Sequence, residues 1–143
     1  MMINKTVIEE LNTLLRGTYM GIHGFEQYIQ KLNNHDVKRN FQQIQQEQKQ
    51  NAQKIAERIQ NLGGVPADDE GISGSMISFM HKFMIPDNER RIIEEAIEGL
   101  DKYGVHYSAE LIKGDLDSSS KQIADETIND SRRQAEQLRH LLH

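Results

Sequence analysis

The sequence predicts an all-α fold: a four-helix bundle made of two antiparallel helix hairpins joined by a long crossover. Three observations carry this. Four long segments place apolar residues at spacings of three and four, and none alternates at period two for long. The 143 residues include only 10 glycines and 2 prolines, too few punctuators for a loop-rich β-sandwich. The breaks between segments run short, long, short. Short links make antiparallel neighbours, so the first two helices pair, as do the last two, while the long link returns the chain along the bundle. A chain of this length suits one domain with one core.

The first helix is expected over about residues 4–33, with Val7, Leu11, Leu14, Leu15, Ile22, Phe25, Ile29 and Leu32 as its seam. Asn33-Asn34-His35-Asp36 breaks it, and Asp36 is the expected cap of the next helix. That second helix, about 36–62, carries Val37, Phe41, Ile44, Ala52, Ile55, Ile59 and Leu62 on one stripe. The stripe runs through a glutamine-rich tract from Phe41 to Gln53. Glutamine is a good helix former, so the tract reads as a solvated helix face. Gly63-Gly64-Val65-Pro66 ends the helix.

A connector follows over about 64–85. Its first half is loop-like; its second half sets Met76, Phe79, Met80, Phe83 and Met84 at helical spacing, which predicts a short apolar helix. Pro86-Asp87 is expected to open the third helix, about 87–113, with Ile93, Ile97, Leu100, Gly104, Tyr107 and Leu111 on its stripe. Serines 118–120 are the expected caps of the fourth, about 118–142, which presents Ile123, Thr127, Leu138 and Leu141. One internal echo fits two related halves: Gly17 then Gly21-Ile22-His23, against Gly99 then Gly104-Val105-His106. The match slips by one residue.

Composition narrows the chemistry. The absence of cysteine excludes disulfides, thiolate metal sites, iron–sulfur clusters and a cysteine nucleophile. A net charge of -5 without a basic tail argues against a nucleic-acid partner. No stretch approaches the roughly 20 apolar residues of a membrane span. The opening MMINKTVIEELNTLL has no apolar run of signal-peptide type, so a cytoplasmic location is expected.

Metal sites in bundle cores need inward carboxylates, with glutamate and histidine at i, i+3 on one face. Each helix can be tested by its advance of roughly 100° per residue. The inner stripes centre on Thr18 in the first helix, Gln48 and Asn51 in the second, Leu100 in the third, and Ser131 and Gln134 in the fourth. Thr127 joins this neutral polar layer. Its members are expected to hydrogen-bond one another across the core or to hold a buried water. Glu26 and Glu47 lie on the flanks and are the weak alternative ligands. His23, His106 and His140 point outward, the usual place for a solvated histidine. Tyr103 and Tyr107 read as packing residues.

Several segments resemble known chains. Leu11-Asn12-Thr13-Leu14-Leu15 is similar to the opening of bacterioferritin- and rubrerythrin-type chains, and Glu57-Arg58-Ile59 running into Leu62-Gly63-Gly64-Val65-Pro66 is similar to the end of their second helix. Leu11-Asn12, Gly21-Ile22, Leu62 to Pro66, Gly74-Ser75, His81 and Glu98-Gly99 together resemble a small bacterial ferritin-like domain family of unknown function. The resemblance implies the ferritin-like fold and, in the metal-binding relatives, a diiron-carboxylate centre. Carried over residue by residue, that centre's positions fall on Thr18, Gln48, Asn51, Leu100, Ser131 and Gln134, none of which is a usual ligand.

The expected function is therefore that of a bundle with its metal ligands replaced, a structural, stress-related or partner-binding protein with no cofactor and no catalytic residue assigned. Met76, Phe79, Met80 and Phe83 form either a contact surface or a cap on the bundle's own core. A homo-oligomer such as a dimer is compatible with spare apolar surface. The alternative is a working di-metal protein with iron or manganese, in iron storage or peroxide handling.

Overall fold

A computed structural model describes residues 2–69, 85–112, 114 and 116–143. It is an all-α four-helix bundle, and the described residues contain no strand. Helix α1 is Met2–Lys31 and α2 is His35–Asn61. Helix α3 runs continuously through Glu89–Gly99, a π-helical stretch Leu100–Tyr107, and Ser108–Leu111. Helix α4 is Ser118–His140.

The helix starts differ from the sequence expectation by one or two residues, earlier at α2 and α4 and later at α3. Asn34, not Asp36, caps α2, its Oδ1 accepting the N–H groups of Asp36 at 2.9 Å and Val37 at 3.2 Å. Asn88 caps α3, two residues beyond Pro86. Asp117, not the serines, caps α4 by accepting the Ser120 N–H at 3.3 Å. A cap must have extended backbone while its side chain reaches the second or third helical N–H. Asn34 and Asp117 meet that condition; Asp36 and the serines are already helical. The end of α2 follows the expected glycine rule. Gly63 sits at φ +87, and the crossed bonds Gly63 N–H to Gln60 O and Gly64 N–H to Ile59 O form a Schellman motif.

Helix α2 packs antiparallel on α4, tied near one end by Arg58 to Ser120 and Asp117 and near the other by Gln137 to Asn40. Helix α1 packs antiparallel on α3, with Lys31 Nζ 2.7 Å from Asp87 Oδ1. Helices α2 and α3 therefore run parallel at opposite corners, with the end of α2 and the start of α3 at opposite ends of the bundle. The residues just after α2 follow α1. The Asn12 amide brackets them, donating to Val65 O at 3.1 Å and accepting the Ala67 N–H at 2.6 Å. A second anchor lies about three helical turns further along α1, where His23 Nε2 is 2.6 Å from Asp69 Oδ1. His23, expected to be solvated, thus holds the connector. Met76, Phe79, Met80, Phe83 and His81 lie outside the described residues.

Burial repeats between the hairpins. Adding 83 to a residue number on α2 gives its counterpart on α4: the caps Asn34 and Asp117, then buried Val37 and Ser120, Phe41 and Ala124, Ile44 and Thr127, Asn51 and Gln134, Ile55 and Leu138. On α1 and α3 the same 83 relates Gly21 to Gly104 and Ile22 to Val105, and it relates Ile29 to Ile112, the residue just past α3. Before that point the interval is 82, relating Leu11 to Ile93, Leu14 to Ala96, Leu15 to Ile97 and Gly17 to Gly99. The change falls inside the π-helical stretch, whose wider turns hold more residues. It also corrects the expected α3 stripe. Val105 takes the inner place, and Tyr103 and Tyr107, read as packing residues, stand exposed with their rings 6.3 Å apart.

Two counterpart glycines have packing reasons. A Cβ on Gly21 would lie 3.1 Å from Gln48 Nε2, and one on Gly104 would lie 2.8 Å from Ser131 Oγ. Gly17 faces open space. Gly104→Ala is expected to lower the urea midpoint, while Gly17→Ala raises stability by about 1 kcal/mol, the ordinary gain of alanine over glycine inside a helix. Equal shifts for the two would remove the packing role of Gly104.

Candidate functional site

The middle of the bundle holds the polar layer. Gln48, Asn51, Thr127 and Gln134 are buried, Gln134 to 1 % exposure; Leu100 is buried, and Thr18 and Ser131 are half-buried. The hydroxyls bond within their own helices, Thr18 to Leu14 O at 2.9 Å, Thr127 to Ile123 O at 3.0 Å and Ser131 to Thr127 O at 3.3 Å. Gln48 Oε1 is buried with no hydrogen-bond partner among the described residues.

The other amides do not bond one another across the core, as the sequence suggested; they turn to carboxylates on the flanks. Asn51 Nδ2 donates to Asp130 Oδ2 at 3.0 Å, and Gln134 Nε2 donates to Glu47 Oε1 at 3.2 Å. Under the interval of 83 these are the same bond made twice, because Asn51 corresponds to Gln134 and Glu47 to Asp130. The pair forms a reciprocal clasp between α2 and α4. Arg133 Nη2 closes it, 3.0 Å from Glu47 Oε2 and 3.5 Å from Asp130 Oδ1. Its hydrogen bond to Glu47 is the main reason the guanidinium holds its proton more tightly than usual.

A second arrangement lies between α1 and α2. Gln45 Nε2 donates to Ile22 O at 3.0 Å and to Glu26 Oε1 at 3.1 Å, while Gln30 Nε2 donates to Glu26 Oε2 at 2.7 Å. These two amide bonds, with Lys49 and His23 assisting, hold the Glu26 carboxyl below its ordinary value. Sequence reasoning missed Gln45. The available signal was its place one residue after Ile44 and three before Gln48, on the same inner side. Nearby, burial and the acids Glu95 and Glu98 push the Tyr28 hydroxyl up to about 12. On the other side of the bundle Arg139 pairs with Asp101 and Glu136.

The weak alternative ligands therefore do not converge. Glu26 is committed on the α1–α2 seam and Glu47 on the α2–α4 seam. Among the described residues, no three histidine, aspartate or glutamate side chains are grouped to hold a metal ion. Hard divalent cations favour anionic oxygens and transition metals also take imidazole. The inner positions offer hydroxyls, amides and a leucine, so they do not fit the diiron-carboxylate group that the resemblance implies. His106 and His140 are exposed, away from this layer.

Two substitutions test the clasp and Glu26. Asn51→Asp sets two carboxylates against each other and should cost about 1–3 kcal/mol in urea unfolding; adding Asp130→Asn restores a donor–acceptor pair and should recover most of the loss. The lowered Glu26 pKa stabilises the fold above its unfolded-state value, and that contribution is lost as pH falls through the folded value. Glu26→Gln should therefore lose less of its thermal midpoint between neutral pH and about pH 3 than the parent does. An identical pH dependence would show that Glu26 adds no acid-sensitive stability.

No helix of the described residues is long and apolar enough to cross a membrane. No curated protein and no solved structure matches the chain. One family does: residues 6–114, from the first turns of α1 to the end of α3, match the family described as "Domain of unknown function (DUF2383)", and the chain belongs to that family.

Proposed function

We propose that the chain is a ferritin-like bundle whose metal-ligand positions have passed to a hydrogen-bonded polar layer, and that it acts in the cytoplasm by association rather than by catalysis. Its role in this reading is structural, stress-related or partner-binding, without a bound metal. One observation carries the reading: the three carboxylates flanking the middle are each engaged by a buried amide. Asp130 accepts from Asn51, Glu47 from Gln134 and Glu26 from Gln45. To ligate a metal at the middle, each would have to release that bond and leave a largely buried amide unsatisfied, at about 1–3 kcal/mol apiece.

The packing around the layer supports the same reading. Gln48 approaches Gly21 and Ser131 approaches Gly104, so the helices of each hairpin close in at the level where a metal centre would need room. Elemental analysis of protein purified without added metal tests the proposal. Iron and manganese well below one equivalent per chain are expected. Two equivalents, lost in a Glu26→Ala, Glu47→Ala variant that remains folded, would replace this reading with the di-metal one.

A further inference from the structure

We propose that α3 is the α1 element with one residue inserted between Gly99 and Gly104, and that its π-helical stretch is a built-in slack turn keeping both ends of the helix in their packed phase. The register of burial carries the inference. From Leu11 to Gly17 the interval to α3 is 82, and from Gly21 onward it is 83, so α3 has one residue more than α1 between the same two landmarks. In an α-helix one extra residue rotates everything beyond it by about 100°. Either Ile93, Ala96 and Ile97 or Val105 and Ile112 would then leave the core, yet all five are buried.

The surplus is absorbed where the helix is π-helical, Leu100–Tyr107. Ser108 marks its end, its hydroxyl donating to Tyr103 O at 2.8 Å across five residues. The matching stretch of α1 is regular α-helix, and α2 and α4 keep one interval along their whole length. The departure is therefore local to one stretch of one helix. A π-helical turn, rare inside an α-helix, is also the expected soft point of the bundle, ready to open before its counterpart.

Two single-residue deletions in the full chain test this. Lys102 is exposed within the π-helical stretch, and Met20 is exposed on the matching part of α1. Deleting Lys102 should remove the surplus, leave cooperative unfolding with a midpoint within about 5 °C of the parent, and slow hydrogen exchange at the amides of residues 104–108. Deleting Met20 should lower the midpoint by more than about 15 °C or abolish the transition, because it turns Ile22, Phe25 and Ile29 away from the core. Comparable damage from both deletions, or comparable tolerance of both, overturns the insertion. Unchanged exchange at 104–108 after the Lys102 deletion overturns the slack turn.

Discussion

The bundle depends on pairing three amide side chains that it buries near mid-height, Gln45, Asn51 and Gln134, while Gln48 Oε1 has no partner among the described residues. Apolar packing at the two ends is non-directional: the aromatic group of Phe25, Tyr28 and Phe41 at one end and Leu11, Leu15, Ile55 and Ile59 at the other would tolerate small slips. The clasp would not. Asn51 must meet Asp130 and Gln134 must meet Glu47, and a one-residue shift of α2 against α4 breaks both bonds. Amide donors to ionised carboxylates make stronger bonds than neutral pairs do, and burial raises the cost of losing them. The hydrophobic ends bring the helices together; the polar middle selects one register.

This constraint explains the charge as well as the fold. The chain is acidic, with a net charge of -5, yet the acids nearest the core lie on helix seams rather than at the centres of the inner stripes. There Glu47 and Asp130 stay partly in water while accepting bonds from buried donors, and Arg133 spans them from the solvent side. Moving either carboxylate to the stripe centre would expose it to the full cost of burying a charge.

How much of this was legible in the sequence varied with the range of the interaction. Helical periodicity is local, so the apolar seams of α1 and α2 correspond closely to the buried residues. On α4, by contrast, Thr127 and Leu138 are buried, Ile123 and Leu141 are half-buried, and the buried Ala124, Ile128 and Ala135 were not on the expected stripe. The caps were misplaced by a residue or two because extended backbone at Asn34 or Asp117 leaves no periodic trace. The π-helical turn hid behind an apparently regular stripe through Leu100, Gly104 and Tyr107, although the one-residue slip in the glycine echo was its signature. The partners of the polar layer were the least legible. That Asn51 bonds Asp130 depends on α2 adjoining α4, and nothing near either residue encodes that neighbour. The Met- and Phe-rich connector, read as a short apolar helix, lies outside the described residues.

Hydrogen bonds occupy the middle of this bundle, the place where diiron-carboxylate bundles hold metal. A ligand that binds only the folded state raises its stability, by about 2.7 kcal/mol at a hundredfold excess over its dissociation constant. The direct measurement is the thermal midpoint of metal-free protein, taken anaerobically with and without excess iron(II) or manganese(II). A midpoint unchanged by either cation is the predicted result. A rise of several degrees that disappears in Glu26→Ala, Glu47→Ala protein would contradict it, because it would place a metal among residues assigned here to the clasp and its neighbouring seam.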